Sequence, residues 1–279
     1  MTDGLRSSAQ EPRVLEPILS EPKRMYNTSM RGVSIQKPLE FRLEVPIEIA
    51  TQGDVVPCTV TVKNHGAEPV PLSQFALQLA LGNLKKVKAK VGDAFESIAS
   101  AELDKTLAVA PGAQVLASWD FTLDRNTPIT DKSQTPYLLY GNGQSSALLG
   151  QLPLTVKMHP HYRAIFDTCE TVLSLINKGE TWKDGFTTVK YKAPDLRKFS
   201  LVDEILISVR FVLDSLEVVY QFKVKKLEAT ATSMNFKKGK AEVAQTWTAE
   251  EYLFGGGFVR QEFVEKMLEE AMAVVTTGF

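Results

Sequence analysis

From residue 39 onward, apolar and polar side chains alternate. In EFRLEVPIEIA, Phe41, Leu43, Val45, Ile47 and Ile49 fall on one face, with Glu40, Arg42, Glu44 and Glu48 on the other. A strand with one buried face requires that two-residue period. DVVPCTVTVKN repeats it, as Val56, Cys58, Val60 and Val62 alternate with Pro57, Thr59, Thr61 and Lys63. Further apolar runs stand at 71–81, 105–111, 114–123, 136–142 and 149–158, separated by NHG, APGA, RNTP and GNG. In these spacers Gly, Asn and Pro supply the backbone angles that chain reversals need. No helical spacing interrupts the block, so the pattern predicts short antiparallel strands in two sheets packed face to face.

The period then changes. Tyr162, Ile165, Phe166, Cys169, Val172, Leu173 and Ile176 follow helical spacing, which predicts a helix ending near Gly179 with Pro160 in its first turn. Strand patterns return at 185–194, 202–213 and 216–229, the last two joined by a tight hairpin at Asp214 and Ser215. Behind FGGGF, Val259, Phe263, Val264, Met267, Met272 and Val275 define a second amphipathic helix. Residues 1–38 are rich in Pro, Ser, Glu and Arg without a consistent apolar face, as in a tail, with VLEPIL (14–19) its most apolar piece. The expected fold is therefore mainly β. A tail (1–38) precedes an antiparallel β-sandwich (39–158), and a linking helix, a second β-rich part and a C-terminal helix make up 159–279.

Composition narrows the function. The 279 residues hold 32 basic and 33 acidic side chains, a net charge of -1, so no overall field draws the chain to nucleic acid or an anionic membrane. No run approaches the roughly 20 apolar residues of a membrane helix. The start, MTDGLRSSAQEPRVLEPILSEPKRMY, lacks the basic and apolar pattern of a secretory signal. Cys58 and Cys169 are then expected as free thiols in a reducing, cytoplasmic setting rather than as a disulfide.

Candidate chemistry is sparse. His159 and His161 flank Pro160, but a metal site needs further ligands, and only Asp167 and Glu170 are carboxylates nearby. The expected roles are a strand end for His159 and a solvated first helical turn for His161. A metal-assisted hydrolase built on the pair is the enzymatic alternative. Both cysteines lie on apolar stripes, where a thiol behaves as a small hydrophobe. GQSSA (143–147) lacks the last glycine of a nucleophile elbow, and FGGGF is followed by no lysine at phosphate-loop spacing. In NLKKVKAKVG, Lys86, Lys88 and Lys90 alternate with Val87, Ala89 and Val91, which predicts lysines along one side of an edge strand. They are the candidate partner-binding residues, and KVKK (223–226) and KKGK (237–240) are further basic runs.

The strand DVVPCTVTVKN, the segment WDFTLDRNTPITDKSQTPYLLYGNG, the run LLGQLPLTVKMHP feeding a helix, and the paired strands of VDEILISVRFVLDSLEVVYQFKVKK together resemble the bacterial sporulation-control arrestin-like family. The resemblance spans about residues 39–230. It implies an arrestin-like fold and a non-enzymatic adaptor that takes part in control of cell development. Cytoskeletal or membrane-associated protein partners would meet its sheet edges and loops. It brings no catalytic residue and no cofactor. Self-assembly through sheet edges is the structural alternative.

Overall fold

A computed structural model of the chain describes residues 29–101, 107–143, 149–229 and 234–277. The VLEPIL piece of the tail lies outside the described residues, as does most of GQSSA. In chain order the elements are β1 (Met30–Gln36), β2 (Leu39–Val45), β3 (Ile49–Thr51), β4 (Val55–Asn64), β5 (Val70–Pro71), β6 (Phe75–Asn83) and helix α1 (Leu84–Lys88). Then come β7 (Phe95–Ser100), β8 (Ala108–Val109), β9 (Gln114–Thr122), β10 (Gln134–Asn142), β11 (Gly150–Pro153), β12 (Thr155–Lys157) and helix α2 (Pro160–Thr171). The remainder is β13 (Ile176–Lys183), β14 (Phe186–Lys192), β15 (Val202–Val212), β16 (Ser215–Ala229), β17 (Met234–Thr248), the single turn α3 (Ala249–Tyr252) and α4 (Gln261–Thr277).

These elements fall into two compact units. Of the described residues, the first contains those up to 50 together with those in 55–122 and 133–155, and the second contains those in 51–54 and 123–132 and from 156 onward.

In the first unit, β1-β2-β4-β9 form one four-stranded sheet and β11-β10-β6-β7 another. Alternation does what the sequence demanded: Phe41, Leu43, Val60 and Val62 are buried between the sheets, and the Phe41 ring stacks on Phe75 of the facing sheet at 5.9 Å. Residues 30–36, placed in the tail by composition, form β1, whose backbone pairs residue by residue with β2. Weak alternation there reflects its edge position, with Val33 and Ile35 on the outside. Tyr140 lies where β1 and β11 approach each other. A Cβ on Gly32 would stand 2.4 Å from its hydroxyl, and one on Gly150 2.5 Å from its ring, so both strands need glycine to pass it. Asn64 shapes the NHG turn: its fully buried amide donates to the carbonyls of Glu68 (2.8 Å) and Val109 (2.9 Å) and accepts from the Gly66 N–H (2.8 Å).

The second unit is a five-stranded antiparallel sheet, β13-β14-β15-β16-β17, with α2 and α4 joined to one core. Val189, Tyr191, Ile205, Ile207, Val218 and Phe222 alternate into that core against Phe166, Cys169 and Leu268. α2 is shorter than its spacing suggests. It ends at Thr171, Ser174 takes a left-handed φ of 58°, and Ile176 starts β13 with its side chain exposed. Apolar spacing had continued through Ile176 without a helix to support it. β17 was also not anticipated, although Ala241, Val243 and Trp247 pack on the core side. The β15–β16 turn consists of Leu213 and Asp214, one residue earlier than expected, with Val212 paired to Ser215.

Candidate functional site

The histidine pair begins with Pro160, which fixes the first turn of α2. His159 is the N-cap: its Nδ1 accepts the His161 N–H at 3.2 Å, satisfying a donor that the helix leaves free. Its own N–H donates to Gln52 Oε1 at 2.8 Å, and Gln52 Nε2 donates to the Thr127 carbonyl at 2.6 Å. The His159 ring stands edge-on to Phe211 and His161, each at 4.8 Å between centroids. His161 meets the Tyr252 hydroxyl through Nδ1 at 3.3 Å and hydrogen-bonds the Gly257 backbone. Burial, with the neighbouring His161 and the Arg125 charge, pushes His159 down to about 4, and burial followed by Arg125 also lowers His161. Both rings are therefore neutral at neutral pH and engaged in capping and packing. The solvated first turn expected for His161 is replaced by a half-buried contact with α3 and the FGGGF loop.

Among the described residues, no group of three or more His, Cys, Asp or Glu side chains is placed to hold a metal ion. Cys58 and Cys169 are buried, and burial pushes both thiols up to about 12, far from the thiolate a nucleophile needs. FGGGF closes a loop rather than opening α4. Phe254 and Phe258 hydrogen-bond across it at 2.8 Å, Gly256 and Gly257 take left-handed backbone angles, and the helix starts at Gln261.

The organising residue of this cluster is Asn126, which sequence reading treated only as turn chemistry. Its amide pairs with both backbone groups of Phe211, donating to the carbonyl at 2.9 Å and accepting from the N–H at 2.8 Å. Tyr162 Oη donates to the same amide oxygen at 2.8 Å, and Trp182 Nε1 donates to the Asn126 carbonyl at 2.8 Å. Arg125 beside it donates to the Leu213 carbonyl at 2.7 Å and lies 4.3 Å over the Phe211 ring. The only sequence signal is a polar RNT triplet after a strand, and its partners lie at separations of 36 to 88 residues.

The lysine candidates do not form an edge strand. Asn83 accepts from the N–H groups of Lys85 (3.1 Å) and Lys86 (3.2 Å), and that cap starts the five-residue helix α1. Lys86, Lys88 and Lys90 are all exposed, but the helix spreads them around its axis, and Lys90 lies beyond its end at φ 54°. Lys86 pairs with Asp93 at 2.5 Å. The other two basic runs are brought together. β16 and β17 pair so that Lys223 opposes Lys240, Lys225 opposes Lys238 and Lys226 opposes Lys237. On β14, Lys190 reaches Glu204 of β15 at 2.6 Å, and Lys223 pairs with the same carboxylate. Lys225 pairs with Asp203 at 3.5 Å.

No protein-family model matches the chain, and no curated protein matches it. Among solved structures, it is similar to Spo0M, a sporulation control protein from Bacillus subtilis. The match has 16% identity and a TM-score of 0.59, and covers 85% of this chain and 99% of that one. The likeness is one of fold, and it shows the mainly β, arrestin-like architecture expected from the sequence. A second match, to the Pseudomonas fluorescens alkylpurine DNA glycosylase AlkC bound to DNA containing an abasic site analog, has 14% identity and a TM-score of 0.26. It covers 40% of this chain and 28% of that one and carries no argument. No helix among the described residues is long and apolar enough to cross a membrane.

Proposed function

We propose that the chain is a non-enzymatic, cytoplasmic adaptor of the sporulation-control arrestin-like type, binding protein partners through sheet edges and loops. The observation that carries this reading is the fold likeness to a sporulation control protein over 85% of this chain and 99% of that one. The chemistry of the side chains supports it. The histidines cap and pack α2, and the two thiols lie in apolar interiors with their ionisation suppressed. Lys86, Lys88 and Lys90 on and just after α1 supply an exposed basic contact for an acidic partner segment.

The test is affinity capture with the full chain, followed by titration of the recovered protein against the wild type and a Lys86→Glu, Lys88→Glu, Lys90→Glu variant. A loss of about tenfold or more in affinity, roughly 1.4 kcal/mol, is expected. Unchanged affinity removes α1 from the reading. Stoichiometric zinc or iron in purified protein, lost in the His159→Ala, His161→Ala variant, would favour a metal-assisted hydrolase instead.

A further inference from the structure

The sheet of the second unit has two outer strands, β13 and β17, and they are finished differently. An outer strand offers a row of unpaired backbone groups, which proteins blunt with bulges, side chains or covering loops. β13 is protected in this way. Its pairing with β14 shifts between Asn177 and Gly179, the Asn177 side chain accepts the Gly179 N–H at 2.8 Å, and Asp131 accepts the Trp182 N–H at 3.2 Å. Among the described residues, β17 has no such device from Lys240 to Thr248: its register with β16 runs without a shift, and the segment holds no proline.

Strand alternation fixes which groups stand open. Lys225 of β16 donates its N–H toward the β15 side, to the Leu201 carbonyl at 2.8 Å. Successive residues turn their backbone groups to opposite sides, so the even-numbered residues of β16 bond β17, where their partners are Ala241, Val243, Gln245 and Trp247. Lys240, Glu242, Ala244 and Thr246 therefore direct their N–H and C=O groups to the open border, with exposed side chains on the face away from the core. Two of these side chains indicate what closes the border. Among the described residues, Lys240 faces Lys223, which Glu204 already holds, and Glu242 is met by the neutral amide of Gln221 at 2.9 Å. A second β17 laid antiparallel about a two-fold axis at Ala241 sets Lys240 of each copy opposite Glu242 of the other. Side chains so opposed have Cβ atoms about 5 Å apart, within reach of an ion pair. An axis at Glu242 would oppose like charges, and one at Val243 would leave both charges without a partner.

We propose that two copies of this chain join β17 to β17, antiparallel about a two-fold axis at Ala241, into one continuous sheet closed by reciprocal Lys240–Glu242 contacts. A second copy fits because the border is self-complementary: one segment supplies both charges and both sets of backbone groups, as a two-fold contact requires. The dimer stands apart from the adaptor reading, which rests on capture of a different protein and holds or fails whatever the oligomeric state.

The experiment is sedimentation equilibrium of the full chain from about 1 μM to about 500 μM. The wild type should pass from one copy to two as concentration rises, and no further, because a two-fold contact uses up the border. Lys240→Glu sets acid against acid and Glu242→Lys sets lysine against lysine, so each variant alone should associate about tenfold more weakly or worse. Mixed in equal amounts, the two variants restore opposite charges at both contacts and should form a heterodimer about as readily as the wild type forms its dimer. Ala244→Pro removes an N–H that faces the open border in the single copy, where proline is tolerated, and should abolish association. Far-ultraviolet circular dichroism confirms that every variant is folded. A wild type that stays single throughout this range, charge variants that associate as it does, or a mixture that fails to pair overturns the proposal.

Discussion

The two units bury alternate residues of their strands in the same way but balance the outward residues differently. In the first unit the outer face of the β1-β2-β4-β9 sheet is neutralised pair by pair. Arg31 meets Glu44 directly across the strands at 3.2 Å, and Glu40 is shared by Arg42 and His65. The hydrogen bonds from Arg42 and His65 hold the Glu40 carboxyl below its usual range. In the second unit the helices α2 and α4 join the core on one face of the sheet, and the opposite face carries lysine against lysine at its β16–β17 end. The contrast is between outward charges matched across neighbouring strands and lysines that face each other and lean on the acids of β15.

Each unit also depends on one asparagine that holds loops at long range, and removing these is the strongest way to probe the comparison. Asn64→Ala leaves the Gly66 N–H and the Glu68 and Val109 carbonyls without their partner, and Asn126→Ala does the same to both backbone groups of Phe211 and to Tyr162. Each substitution should cost about 1–3 kcal/mol in urea denaturation, because buried polar groups are left unpaired. A loss confined to Asn64→Ala would show that the Asn126 cluster contributes little to folding.

Acid should distinguish the units next. His159 belongs to the second unit, and its folded-state value near 4 lies below the ordinary 6.5. The folded state thus binds fewer protons than the unfolded chain as pH falls. The stability contributed by the neutral ring is complete above 6.5, declines below that value and is gone by about 4. His159→Asn keeps a capping side chain without the titration, so its urea midpoint should fall less steeply between neutrality and pH 4. Identical slopes for variant and wild type would place the acid sensitivity on the carboxylates.

The smallest effect tests the charge contrast itself. Lys240→Glu turns the Lys223–Lys240 pair into one of opposite charge and should stabilise the chain by about 0.2–1 kcal/mol at low salt. Glu44→Lys in the first unit should destabilise it by a similar amount. Equal signs for the two substitutions would remove the distinction between the faces.

Much of this architecture is legible in the residues. The alternation at Phe41–Val45 and Val56–Val62 gives the sandwich strands, and the spacing from Tyr162 to Cys169 gives α2, because burial periodicity is a local property. Three features are not legible for physical reasons. Lys86, Lys88 and Lys90 alternate with apolar residues as a strand would, but a cap at Asn83 favours a helix over that pattern. Ile176 continues the helical spacing by coincidence, after a left-handed residue has already ended the helix. Asn126 draws its significance from Phe211, Tyr162 and Trp182, and no local pattern encodes contacts between residues so far apart. The basic patch lies between these cases. KVKK and KKGK are visible as runs, but only the strand register makes them opposite rungs.

The passage of Gly32 and Gly150 past Tyr140 bears on how the sandwich keeps its strand borders covered. The phenol ring is 1% exposed and has no room to retreat, so a methyl group at either glycine would act as a wedge along the seam where β1 and β11 shelter each other. Prying that seam apart would bare two strand borders beside the already exposed Val33 and Ile35. Two hydrogen atoms in place of two methyl groups thus keep those strand borders closed over the ring.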